Sequence, residues 1–178
     1  MPAFIKSTAA ILIVLQSGSL TTKIHENKYF DVELIDYGVY EFTRVELQKA
    51  DKTAEGRVWE GKESKLLFKT DEIPMKLLTS FGIRCAFRTK LAGNEITNII
   101  PIQVTIRHPK FTFTDTGRES TKEEWISRQS PYGIAYIGYK FDHEYEMVPG
   151  EWIFELRYKD VLLVEKKFII QQPAVDMK

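Results

Sequence analysis

The stretch Glu146–Ile170, EMVPGEWIFELRYKDVLLVEKKFII, decides the fold. Along Glu151–Tyr158, the residues Trp152, Phe154, Leu156 and Tyr158 alternate with Ile153, Glu155 and Arg157. A period of two places the four large apolar side chains on one face of a strand. Lys159-Asp160 reverses the chain, and Val161–Ile170 returns with Leu162, Val164, Phe168 and Ile170 in phase. Pro149-Gly150 is a turn signal that sets where the first strand begins. A hairpin with one apolar face needs further strands to cover it.

Those strands can be read upstream. Gly133–Phe141 carries Ala135, Ile137, Tyr139 and Phe141 in phase, and Phe81, Ile83, Cys85 and Phe87 do the same while Arg84 and Arg88 face out. Ile100, Ile102, Val104 and Ile106 alternate with Pro101, Gln103, Thr105 and Arg107, and Pro101 places that strand at an edge or at its own start. Leu66 and Phe68 align in Lys65–Thr70. Phe30, Val32 and Leu34 share a face until the pattern is disturbed at Ile35–Tyr37, where Gly38 predicts a bulge or a close backbone approach. Val39–Leu47 continues with Tyr40, Phe42 and Val45, and Asp51–Ser64 reads as a loop around a short strand at Arg57–Glu60. His108–Gln129 reads as irregular. Ser120 and Thr121, three residues before Glu123 and Glu124, have capping-box spacing and predict one short helix through Trp125.

Strands follow strands without intervening helices, which excludes a parallel α/β sheet. The expected fold is all-β: an antiparallel, immunoglobulin-like β-sandwich of about seven to nine strands, with at most one short helix. The 178 residues suit a single domain. Residues 1–19 stand apart, with Lys6, then the apolar run Ala9–Leu15, then Ser17-Gly18-Ser19. This is the layout of a secretory signal peptide cleaved before Leu20, leaving 20–178 as the sandwich domain. The apolar run is shorter than the roughly 20 residues of a membrane span. The expected location is therefore periplasmic or secreted, or cytoplasmic if residues 1–19 are no leader.

Several fragments resemble an uncharacterised bacterial family of single immunoglobulin-like domains, a domain of unknown function. They are DYGVY (Asp36–Tyr40), Ile73-Pro74, Phe81-Gly82, GYKFDHEYEMVPGEW (Gly138–Trp152) and the strand end Lys166–Phe168, and together they span most of residues 28–170. The resemblance implies a β-sandwich and, since many members look exported, an exported protein. It implies no catalytic or binding residues.

Lys plus Arg and Asp plus Glu both number 25, so no basic field marks a nucleic-acid partner. With Cys85 as the one cysteine, no intrachain disulfide forms. Cys85 alternates with Ile83 and Phe87 and reads as core. His25, His108 and His143 have no metal-site spacing, and no phosphate-binding, nucleophile-elbow or dinucleotide motif is present. Asp142, Glu144, Glu146 and Glu151 cluster around one loop but lack the calcium-loop pattern. The sequence thus assigns no cofactor, no metal and no catalytic residue. It points to a non-enzymatic binding or assembly domain that engages a protein partner through loops or an edge strand. A carbohydrate-binding module is the alternative, and it needs exposed aromatic rings. Tyr37, Tyr40 and Trp59 are the candidate binding residues, provided that they share one exposed face.

Overall fold

A computed structural model describes residues 22–43, 46–53, 56–60, 63–90, 92 and 99–172. The expected leader, residues 1–19, lies outside the described residues. The strands are β1 (Thr22–Ile24), β2 (Phe30–Thr43), β3 (Glu46–Lys49), β4 (Arg57–Glu60), β5 (Glu63–Phe68) and β6 (Glu72–Pro74). They are followed by β7 (Ser80–Thr89), β8 (Ile100–Thr112), β9 (Glu119–Gln129), β10 (Tyr132–Lys140), β11 (Gly150–Tyr158) and β12 (Val161–Gln171). A single 3-10 turn, Glu144–Glu146, precedes β11. Among the described residues, one sheet has the order β1-β12-β11-β8-β9, with β6 alongside β12 in parallel, and a second has the order β10-β7-β2-β5. β3 and β4 form a separate hairpin.

The two sheets close on the side chains that the alternation pointed inward. Phe81 of β7 lies at the centre, its ring 5.7 Å from Trp152, 5.6 Å from Phe154 and 5.5 Å from Phe168. Burying each such side chain contributes about 1.5–3 kcal/mol. The indole of Trp152 stays satisfied by donating to the Val148 carbonyl at 3.3 Å. Leu156 pairs with Val164 but Arg157 with Leu162, so Leu163 is the extra residue of a bulge. Leu163 is therefore fully buried, whereas Leu162, the expected inward residue, is half-buried.

Two further expectations are corrected. His108–Gln129 is not an irregular stretch with a helix, because β8 runs on to Thr112 and β9 pairs with it from Glu119. Ser120 and Glu123 do meet, the hydroxyl donating to the carboxylate at 3.0 Å, but side chain to side chain on a strand and not through the side-chain-to-backbone bonds of a capping box. The long-range ladder with β8 outcompetes a local helical turn. Lys166, on the inward phase between Val164 and Phe168, is fully buried. Its ammonium pairs with Asp71 and sits 3.7 Å from the centre of the Tyr37 ring.

Candidate functional site

Ser130-Pro131 carry the chain from β9 in one sheet directly to β10 in the other. Both strands end their sheets, so the sandwich is open between them. The described parts of the β3–β4 hairpin, residues 46–53 and 56–60, border the opening. Lys52 accepts a bond from the Glu124 N–H at 3.0 Å, and the Gln48 amide donates to the Ile126 carbonyl at 3.3 Å. Between these walls is a cavity of about 250 Å³.

β10, lying at the opening, contributes residues of both phases, among them Ile134, Tyr136 and Gly138 from its outward face and Tyr139 from its inward face, while Glu123, Trp125 and Ser127 come from one face of β9. Tyr136 lies over Gly138, where a Cβ would come 2.1 Å from the tyrosyl oxygen, so a glycine is required there. Gly138 pairs with Gly82, where a Cβ would come 2.2 Å from the Ile137 carbonyl oxygen. The Tyr136 ring packs 4.8 Å from Tyr40 and 5.1 Å from Phe42, and its hydroxyl meets the Ser80 hydroxyl at 3.1 Å.

The floor is polar and buried. Glu123 and Glu146 are 1% and 2% exposed. Glu146 accepts bonds from the Tyr139 hydroxyl at 2.8 Å and from the backbone N–H groups of Asp142 (2.7 Å) and His143 (2.8 Å). Burial, reinforced by the charges of Glu146 and Glu123, pushes the Tyr139 hydroxyl well above its usual value, so it remains a donor. Behind Glu123, the His108 ring is stacked between Phe111 (4.5 Å) and Trp152 (4.7 Å). His108 opens the interruption of the β8–β9 ladder between Arg107 and Phe111. Such bulges re-aim side chains. Its Nδ1 is 2.9 Å from the Pro109 carbonyl and must donate to it, which turns Nε2 toward Glu123 at 3.4 Å. The exposed side chains of Arg57 and Arg128 line the rim.

The three aromatic candidates do not share an exposed face. Tyr37 points inward and meets Phe168 and Lys166. Tyr40 points outward, yet it is 3% exposed beneath Tyr136. Trp59 stands opposite Leu47 in the β3–β4 hairpin, and its side chain lies outside the described residues. The bulge between Leu34 and Asp36, which the disturbed alternation signalled, sets the phase of Tyr37 and Tyr40. The acidic cluster is dispersed: Glu146 turns inward, Glu151 meets Lys167 at 3.2 Å and Asp142 meets Lys140 at 3.3 Å. Among the described residues, no group of three or more His, Cys, Asp or Glu side chains is placed to hold a metal, and no helix is long and apolar enough to cross a membrane. Burial, with the Asp36 charge, pushes the Cys85 thiol up to about 12, so it is no ready nucleophile. What the sequence did not reveal is the meeting of His108, Glu123, Tyr139 and Glu146. Their separations in the chain carry no motif, and the one local trace is Pro109 beside an inward-phase histidine.

A search of curated proteins gives no match. Among solved structures, the chain is similar to an immunoglobulin-like protein from Pseudomonas aeruginosa. The two are 22% identical, with a TM-score of 0.54 over 87% of this chain and 100% of that one. At that identity the likeness shows the fold, an immunoglobulin-like β-sandwich. A family model described as Domain of unknown function (DUF3859) matches residues 28–170. The chain, with its two antiparallel sheets and its GEW-led final hairpin, belongs to that family.

Proposed function

We propose that the protein is an exported, non-enzymatic binding domain that captures an extended segment of a partner protein along the free edge of β10. One observation carries this reading. Tyr132–Tyr139 is a run of strand with neither charge nor proline, and among the described residues β10 pairs only with β7. Natural sheets blunt their edges with charges, prolines or short strands. The other edges here follow that rule: β9 carries Lys122, Glu124 and Arg128, β5 carries Glu63 and Lys65, and β1 and β6 have three residues each. On β10, Tyr132 and Ile134 are instead 60% and 66% exposed. A partner strand supplies the missing main-chain bonds, and pockets beside the edge select its side chains.

A photo-crosslinking residue at position 134 is expected to trap one specific partner from cell-envelope extract, and Ile134→Lys is expected to abolish its capture. Capture that is indifferent to Ile134→Lys and Tyr132→Lys refutes the reading. For export, the protein recovered from cells is expected to begin at Leu20; recovery with residues 1–19 attached and in the cytoplasm overturns that part. A second reading, carbohydrate binding, has support from the Trp125 and Tyr136 rings at the cavity rather than from Tyr37 and Tyr40. It requires glycan binding that is lost in Trp125→Ala.

A further inference from the structure

Resting on that reading, we infer that the segment captured along β10 carries an acidic residue at the end lying beside Tyr132, between Arg88 and Arg128. The main chain fixes how much of the edge is offered. The Thr89 N–H donates to the Pro131 carbonyl at 3.0 Å, and the Phe141 N–H donates to the Thr79 carbonyl at 3.1 Å. Bonding alternates along an antiparallel pair, so the odd-numbered residues of β10 face β7. Ile134, Tyr136 and Gly138 therefore turn their N–H and C=O groups to the open side. The Tyr132 N–H is already provided for, since it donates to the Ser130 hydroxyl at 3.3 Å. A guest ladder thus ends at Tyr132, and the next residue of the guest passes the Ser130-Pro131 link.

Along the ladder itself the guest meets no charge, and apolar side chains set opposite the exposed Tyr132 and Ile134 cover them. Charge enters only at the ends of the edge. Arg88 stands directly opposite Tyr132 in the β7–β10 ladder and shares its face. Arg128, just before the Ser130-Pro131 link, lines the opening on the β9 side. Both side chains are exposed. Elsewhere arginines are matched: Arg84 pairs with Asp36, and Arg107 and Arg157 pair with Glu155. Among the described residues neither Arg88 nor Arg128 has such a partner. Asp31, which faces Arg88 from β2, is held by Lys90 at 2.8 Å. The far end differs, because the Lys140 ammonium meets Asp142 at 3.3 Å and Glu144 beyond it is exposed. The edge is therefore positive beside Tyr132 and not beside Lys140. A guanidinium fork accepts a carboxylate in a bidentate pair, whereas a basic residue placed there meets like charge. Such asymmetry selects the guest by its charged end and sets which way it lies.

The test uses random octapeptides, displayed on phage and selected against the full-length protein, followed by synthetic versions of the enriched sequences. The expected result is an aspartate or glutamate fixed at one end of an uncharged, apolar run. Replacing it by the matching amide should weaken binding about two- to fivefold at low ionic strength, and by less in high salt. Arg88→Gln with Arg128→Gln should remove the preference, and Arg88→Glu with Arg128→Glu should exchange it for lysine or arginine. The peptide-side replacement leaves the protein untouched, so a variant that folds poorly does not decide the matter. Enriched peptides that need an intact β10 edge but tolerate the amide, or that carry a basic residue at that end, overturn the acidic assignment and leave strand capture standing. Enriched peptides that bind equally to Ile134→Lys, or no enrichment at all, remove strand capture itself and the assignment with it.

Discussion

Replacing Asp71 by Ala should destabilise the protein far more than replacing both Asp71 and Lys166. Lys166 is fully buried between the sheets, paired with Asp71 and placed over Tyr37. Burial lowers its pKa in spite of the Asp71 carboxylate, which acts to raise it. Without Asp71 the lysine either stays charged in the core or gives up its proton. Giving up the proton at pH 7 costs at most about 5 kcal/mol, from a usual value near 10.5 at about 1.4 kcal/mol per unit. Breaking a buried pair generally costs about 3–5 kcal/mol, which agrees. Lys166→Met with Asp71→Asn removes the charge and keeps the volume, so the double variant should lie within about 1–2 kcal/mol of the parent, or above it. Urea unfolding at pH 7 measures both; with a slope of about 2 kcal/mol per M, the Asp71→Ala midpoint falls by about 1.5–2.5 M. The folded pKa of the lysine is depressed, so between that value and 10.5 the unfolded chain binds more protons, and stability rises with pH. The Asp71→Ala penalty must therefore shrink between pH 7 and pH 9.5. A penalty under about 1 kcal/mol at pH 7, or one unchanged at pH 9.5, refutes this account of the pair.

Gly82→Ala places a methyl group against the Ile137 carbonyl and should cost about 3 kcal/mol or more by chemical denaturation, with faster amide exchange along β10. Burial raises the pKa values of Cys85, Tyr40, Tyr136 and Tyr139, so their contribution is intact below pH 9 and is lost as pH rises above it. Cys85→Val should lessen the loss between pH 9 and 12, read by unfolding midpoints across that range. Against the upward push of burial, hydrogen bonds from Arg84 and Tyr40 hold the Asp36 carboxyl below its usual 3.8. The advantage of the parent over Asp36→Asn should be full above about pH 5 and fade as pH falls below 3.8, followed by acid titration of stability.

The strands that build the core were legible because their side chains alternate over a half-buried surface, as in Trp152–Tyr158 and Phe81–Phe87. β9 was not, since ESTKEEWISRQ buries Glu123 and Ser127 on the phase where apolar residues would reveal a strand. The burial of Lys166 is illegible for a related reason: it is set by a distant partner, Asp71, and composition gives no sign of it. Residue type alone marks Tyr37, Tyr40 and Trp59 as candidate rings, whereas exposure on a sheet depends on what neighbouring strands lay over it. Tyr40 is hidden by Tyr136, a residue almost a hundred positions away in the chain. The cavity floor needs four residues from three strands and a 3-10 turn, brought together by long-range pairing alone.

The passage from β9 to β10 through Ser130-Pro131 gives the opening the character of a pair of jaws joined at one end. Near Gln129 and Tyr132 the walls are tethered within two residues, while near Glu123 and Lys140 no covalent link holds them to one width. In strand capture, a guest threaded alongside would meet a width fixed by covalent bonds at the tethered end, and at the other a width set by packing and hydrogen bonds alone. Shortening it from the first end should therefore loosen the grip more than trimming the second.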